Sequence, residues 1–121
     1  MINKRLRFEL NTIKDRLLEI QSEYNESPSK CGPIQNIKMN MNKGFIRVSF
    51  NTHAYLVFIY KGTYMFAWFS KVKDEPLYIQ DGCITCLNVS EVCREFNDRI
   101  FCGFSPARGL KWHQYGMPKK K

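Results

Sequence analysis

The sequence predicts an α+β domain: an N-terminal helix, a six-stranded antiparallel β-meander, a C-terminal helix packed on the sheet and an irregular basic tail. Three observations predict it. Leu6, Leu10, Ile13, Leu17, Ile20 and Tyr24 recur at alternating steps of four and three, the spacing of one helical face. Beyond residue 35 the apolar period drops to two, as in strands. The gaps between the alternating stretches are too short for the helical crossover, about a dozen residues or more, that parallel strands require. The sheet is therefore antiparallel.

The first helix covers residues 3–24, with pairs such as Arg5 and Glu9 one turn apart on its solvent side. Its spacing is also that of a heptad seam, so helix-mediated dimerisation stands beside packing onto the sheet. Pro28, Ser29, Gly32 and Pro33 then break the helix and form a loop. Strands follow at 37–41, 45–50, 54–60 and 63–72, separated by Asn42-Lys43-Gly44, Asn51-Thr52-His53 and Lys61-Gly62. Two short strands, 77–80 and 83–87, flank Asp81-Gly82, a strong hairpin signal. Asn88 or Ser90 can cap the second helix, in which Val92, Cys93, Phe96, Ile100 and Phe101 form an apolar stripe before Gly103 stops it. Residues 1–103 make one α+β domain and residues 104–121 a basic, aromatic tail.

The chain has 121 residues, of which 44% are hydrophobic. A chain of this size buries about two thirds of its unfolded surface, enough for one modest core. Neither a signal-peptide-like run at the start nor the roughly 18 apolar residues of a membrane span is present, so a soluble cytoplasmic protein is expected, with no membrane partner.

The net charge of +8 is unevenly distributed. Residues 1–26 balance, with five bases and five acids. Residues 27–73 carry seven bases (Lys30, Lys38, Lys43, Arg47, Lys61, Lys71, Lys73) and no acid. Residues 74–98 carry six acids against Arg94, and residues 99–121 six bases (Arg99, Arg108, Lys111, Lys119, Lys120, Lys121) and again no acid. Acid-free stretches have no sequence-local partner to neutralise them, which suggests a polarised surface. Lysines at strand edges and turns also serve solubility and block edge pairing.

If Lys61-Gly62 is a two-residue turn, Tyr55, Val57, Ile59, Tyr64, Phe66 and Trp68 share one face of the central hairpin. Leu56, Phe58, Tyr60, Met65, Ala67 and Phe69 share the other. A sheet covered on one side alternates apolar with polar; here both faces are apolar. Elements could cover both faces, another copy of the chain could pair with one, or one face could be an exposed platform on which bases stack. In the tail, Arg108, Lys111, Trp112, His113, Tyr115 and Lys119 to Lys121 interleave bases with aromatics, as a phosphate-tracking arm requires; Trp112 and Tyr115 could equally fold back over the sheet.

Cys83-Ile84-Thr85-Cys86 has zinc-knuckle spacing, and Cys93 and Cys102 could complete a four-sulfur set. Positions three apart on an extended strand point to opposite faces, so reduced cysteines are expected and no metal site. His53 and His113 have no carboxylate or nucleophile at a motif spacing, and there is no glycine-rich phosphate loop or nucleophile elbow. Asp74, Glu75 and Asp81 near Lys71 and Lys73 loosely fit a metal-dependent nuclease but read as turn residues.

The leading expectation is a small basic, non-enzymatic protein, without a cofactor, that binds nucleic acid or a nucleoprotein complex. Its candidate contacts are Lys38, Lys43, Arg47, Tyr55, Lys61, Tyr64, Trp68, Lys71 and Lys73 of the sheet segment, and Arg108, Lys111, Trp112, Tyr115, Lys119, Lys120 and Lys121 of the arm. The alternative is a protein-binding inhibitor or adaptor, of the kind phages and mobile elements encode. It would act on a host protein through the apolar aromatic sheet face, and a homodimer is one form it could take.

Overall fold

The computed structural model describes residues 3–72 and 77–101 of the chain. The elements run α1 (Lys4–Glu26), β1 (Asn36–Asn40), β2 (Phe45–Ser49), β3 (His53–Tyr60), β4 (Thr63–Lys71), β5 (Tyr78–Cys86) and α2 (Val89–Phe101). The strands form one antiparallel sheet in the order β1-β2-β3-β4-β5, each paired with its sequence neighbour.

Helix α1 starts where Asn3 caps it, the side-chain oxygen accepting from the Leu6 N–H at 2.9 Å. Leu10, Ile13, Leu17, Ile20 and Tyr24 are buried, the four-three face read from the sequence. The loop that follows is held by two polar side chains at the end of the helix. The Tyr24 hydroxyl donates to the Gly32 carbonyl at 2.8 Å, and Asn25 both accepts from Ile34 N–H at 2.9 Å and donates to its carbonyl at 3.3 Å. These bonds satisfy loop backbone groups and fix where β1 begins.

The β3–β4 turn is the two-residue hairpin expected: Lys61 and Gly62 both take positive φ, 52° and 76°, and Tyr60 faces Thr63. The predicted division of the hairpin into two faces follows. Both helices lie over one face, α1 against β1 and β2, α2 against β4 and β5, and the helices pack on each other. Ile46, Val48, Tyr55, Val57, Phe66, Trp68 and Cys86 of that face join the helix stripes in a single core. Helix α1 thus spends its apolar stripe on the sheet and on α2.

One element differs from expectation. The sheet has five strands, not six, because Asp81-Gly82 lies inside β5 rather than in a turn. Strand β4 is nine residues long and can pair with all of 78–86. A hairpin at Asp81 would have left half of β4 without a partner on that side. The register passes from Trp68 opposite Gly82 to Phe69 opposite Gln80, so Asp81 is the extra residue of a β-bulge. Its carboxylate accepts a hydrogen bond from the Ser70 hydroxyl. Bulges and tight turns demand similar residue types, which is why the dipeptide signals either.

Helix α2 is capped by Asn88, whose side chain accepts from the Glu91 N–H at 2.9 Å, while Glu91 reaches back to the Leu87 N–H at 2.9 Å. Its buried residues are Val92, Phe96, Arg99 and Ile100. Phe101, assigned to the stripe from sequence, is exposed, and Arg99 takes a place inside. Gly103 and the tail at 104–121 lie outside the described residues.

Candidate binding surface

The helix-covered face removes three of the expected contacts from the surface. Tyr55, Tyr64 and Trp68 are 2%, 5% and 2% exposed, in the core beneath α1 and α2. Tyr55 packs on Phe66 at 5.9 Å, and the Tyr64 hydroxyl donates to the Glu9 carboxylate, tying β4 to α1. Burial first, and then the neighbouring Glu9, raise the Tyr64 pKa above its usual range. The stacking platform drawn from these three rings is corrected: the helices cover the face on which the rings stand, leaving no ring open to a base.

The opposite face of the sheet carries the other apolar set. Register aligns Lys38, Arg47, Leu56, Ala67 and Cys83 in one row across it, and Asn40, Phe45, Phe58, Met65 and Thr85 in the next. Leu56, Phe58, Met65 and Phe69 are half-buried by one another, and no described element lies over them. Residues 27–72 contain no Asp or Glu, so β1 to β4 bring no carboxylate to this surface. At its centre a cup of about 220 Å³ is lined by Phe45, Arg47, Ala54, Leu56, Phe69 and Tyr78.

The remaining described bases surround this face. Lys38 is exposed on edge strand β1, beside Arg47. Lys43 occupies the β1–β2 turn, its N–H held by the Asn40 side chain at 2.9 Å. Lys61 sits in the β3–β4 turn, with its ammonium 5.3 Å from the centroid of the exposed Tyr60 ring. The two turns share one end of the sheet, since the Ile59 N–H donates to the Gly44 carbonyl at 3.1 Å. Lys71 is exposed at the other end, paired in register with Tyr78. Lys73, Arg108, Lys111, Trp112, Tyr115, Lys119, Lys120 and Lys121 lie outside the described residues.

Of the cations counted in the basic segments, one is only partly surface charge and another is not surface charge at all. Arg47 is half-buried, and its Nε is shut off from solvent with no hydrogen-bond partner among the described residues. Arg99 is buried on the helix side, where its Nε bonds Glu95 at 2.8 Å and its guanidinium stacks 4.1 Å over Trp68. Glu95 and Arg99 stand four apart on a helix beside Phe96 and Ile100, a spacing that could have flagged a buried pair.

Chemistry-bearing groups on the helix side are quenched. His53 stacks on Phe50 with centroids 4.3 Å apart, and burial lowers its pKa from 6.5 to about 4. The Cys86 thiol is pushed up to about 12 by burial, then by Glu95 and Glu91, so it stays protonated at neutral pH. Cys83 and Cys86 face opposite sides of β5, being opposite Ala67 and Tyr64 respectively. Among the described residues no three His, Cys, Asp or Glu side chains are grouped to hold a metal ion, and no helix is long and apolar enough to cross a membrane. Comparison with protein-family models, curated proteins and solved structures returns no match for the chain.

Proposed function

We propose that the protein is a non-enzymatic binding protein that engages nucleic acid, alone or within a nucleoprotein complex, through the open face of its sheet and the basic segment at 104–121. The observation that carries this reading is that open face. Phe45, Phe58 and Phe69 stand there beside Lys38 and Arg47, and β1 to β4 supply no carboxylate to repel phosphate. Ring faces accept any base and the surrounding lysines follow the backbone, so single strands suit it better than a duplex groove.

The test is a salt series with single-stranded DNA and RNA, comparing the full chain with Lys38→Gln, Lys43→Gln, Lys61→Gln and Lys71→Gln combined. Binding is expected to weaken in the variant, and the slope of log K against log salt to fall by about 0.7 for each single-strand phosphate that a substituted lysine had neutralised. Phe58→Ala and Phe69→Ala are expected to cost about 1–3 kcal/mol for each base they stack. Absence of binding to either nucleic acid at low salt would falsify the proposal.

A second reading, an inhibitor or adaptor that docks on a protein, is favoured by the half-buried apolar set Leu56, Phe58, Met65 and Phe69 on the same face. A partner captured by the purified chain and retained after nuclease digestion supports it over nucleic-acid binding.

A further inference from the structure

The cup on the open face contains an unusual pairing of groups. Phe45, Ala54, Leu56, Phe69 and Tyr78 make its wall apolar, and Tyr78 has its hydroxyl directed to the Phe50 carbonyl at 3.2 Å. Arg47 is the one charged residue among the described residues of the lining. Its Nε–H, out of contact with solvent, has no acceptor among the described residues. A buried donor without an acceptor is costly, and a charged one more so. Cross-strand neighbours do not relieve it: Lys38 on one side repels the guanidinium and Leu56 on the other is apolar. Among the described residues the cup therefore offers one guanidinium, without a carboxylate partner, set in an apolar wall.

From this we propose that the cup is a binding site for a small organic anion with an apolar aromatic or aliphatic body and a single carboxylate, the carboxylate resting on Arg47. The fork of a guanidinium matches two carboxylate oxygens, which would rest on its terminal nitrogens beside the enclosed Nε–H. Among the described lining residues Arg47 is the one cation, which matches a single carboxylate, and the apolar wall would take the body of the ligand. The volume sets the size. At about 220 Å³ the space exceeds the roughly 150 Å³ that accommodates benzene in an engineered apolar cavity, and it falls short of the range of about 300–1,000 Å³ typical of drug-sized ligands. A phenyl ring with a short chain fits these bounds. The inference stands apart from the nucleic-acid reading, because it uses only the cup and a free ligand.

The experiment is a titration of the isotope-labelled full chain, freed of nucleic acid, with 4-phenylbutyrate, followed by ¹H–¹⁵N spectra that include arginine Nε–Hε signals. A saturable shift of the Arg47 Nε–Hε signal is expected, with shifts at the amides of Ala54, Leu56 and Phe69. The uncharged isostere 4-phenylbutan-1-ol is expected to bind at least tenfold more weakly to the unaltered protein. Arg47→Met is expected to weaken the acid at least tenfold while leaving the alcohol within about twofold. Three outcomes overturn the proposal: no saturable shift, shifts centred away from the cup, or equal affinity for acid and alcohol. If the chain's own residues 102–121 fill the cup, the Arg47 signal does not respond and the proposal falls. Comparison of the alcohol with the acid needs no variant, so a poorly folded Arg47→Met would not spare it.

Discussion

Glu95→Ala is expected to destabilise the protein, by up to about 3–5 kcal/mol, because it removes the carboxylate that bonds Nε of the buried Arg99 guanidinium. The Arg99 side chain has no exposed surface, and Glu95 is only 17% exposed, with 2.8 Å between Nε and Oε1. The guanidinium also lies 4.1 Å over Trp68 and 5.5 Å from the Phe66 centroid, so it is part of the packing above β4. Stacking on rings stabilises a cation but does not supply the acceptor that Glu95 provides. A loss of this size is a large fraction of the roughly 5–15 kcal/mol that holds a domain together. Replacing both partners, Glu95→Leu with Arg99→Met, removes the charge along with its partner and is expected to recover most of the loss. Urea unfolding with the slope checked for constancy measures both. A loss below about 1 kcal/mol for Glu95→Ala would show that the pair behaves as a surface ion pair.

The second large effect is a pH dependence centred on His53. Its ring is buried between Phe50, 4.3 Å away and stacked, and Tyr55, 5.2 Å away and edge-on, with Nδ1 2.7 Å from the Thr52 hydroxyl. Burial lowers the folded-state pKa from 6.5 to about 4. Between these values the unfolded chain binds a proton that the native state refuses. Stability contributed by neutral His53 is therefore fully present above pH 6.5, lost progressively as pH falls, and levels off near pH 4. At about 1.4 kcal/mol per pKa unit the loss amounts to roughly 3 kcal/mol. Unfolding at pH 7.5, 6 and 5, compared between the unaltered chain and His53→Gln, isolates this contribution, since glutamine does not titrate. An imidazole midpoint near the ordinary value, read from its ring carbon shifts, would refute the burial argument.

Much of the fold was legible because it follows from local periodicity. Helix α1 is set by a four-three stripe and an Asn cap, the β3–β4 hairpin by Lys61-Gly62, and the start of α2 by Asn88. Asp81-Gly82 was not legible in this way, because the choice between turn and bulge is made outside the dipeptide, by the length of β4 beside it. The candidate surface was legible in part. Lys38, Lys43, Lys61 and Lys71 are placed around the open face, whereas Tyr55, Tyr64 and Trp68 are in the core. The cup and the isolation of Arg47 depend on neighbours in other strands and left no signal in the linear sequence.

By itself the sequence determined the class, two helices and an antiparallel sheet, and the segregation of charge along the chain, because spacing and composition are local properties. It also determined which side chains share each face of the hairpin, since alternation follows from the pleat. Tertiary structure decided which of the two apolar faces is covered. Both were apolar enough to be buried, and α1 and α2, whose stripes can cover only one, selected Tyr55, Tyr64, Phe66 and Trp68. It also decided which charges count. Arg99 was drawn into the core by Glu95 and Trp68, and Arg47 was set in an apolar cup, so positive sequence charge and positive surface are not the same quantity here.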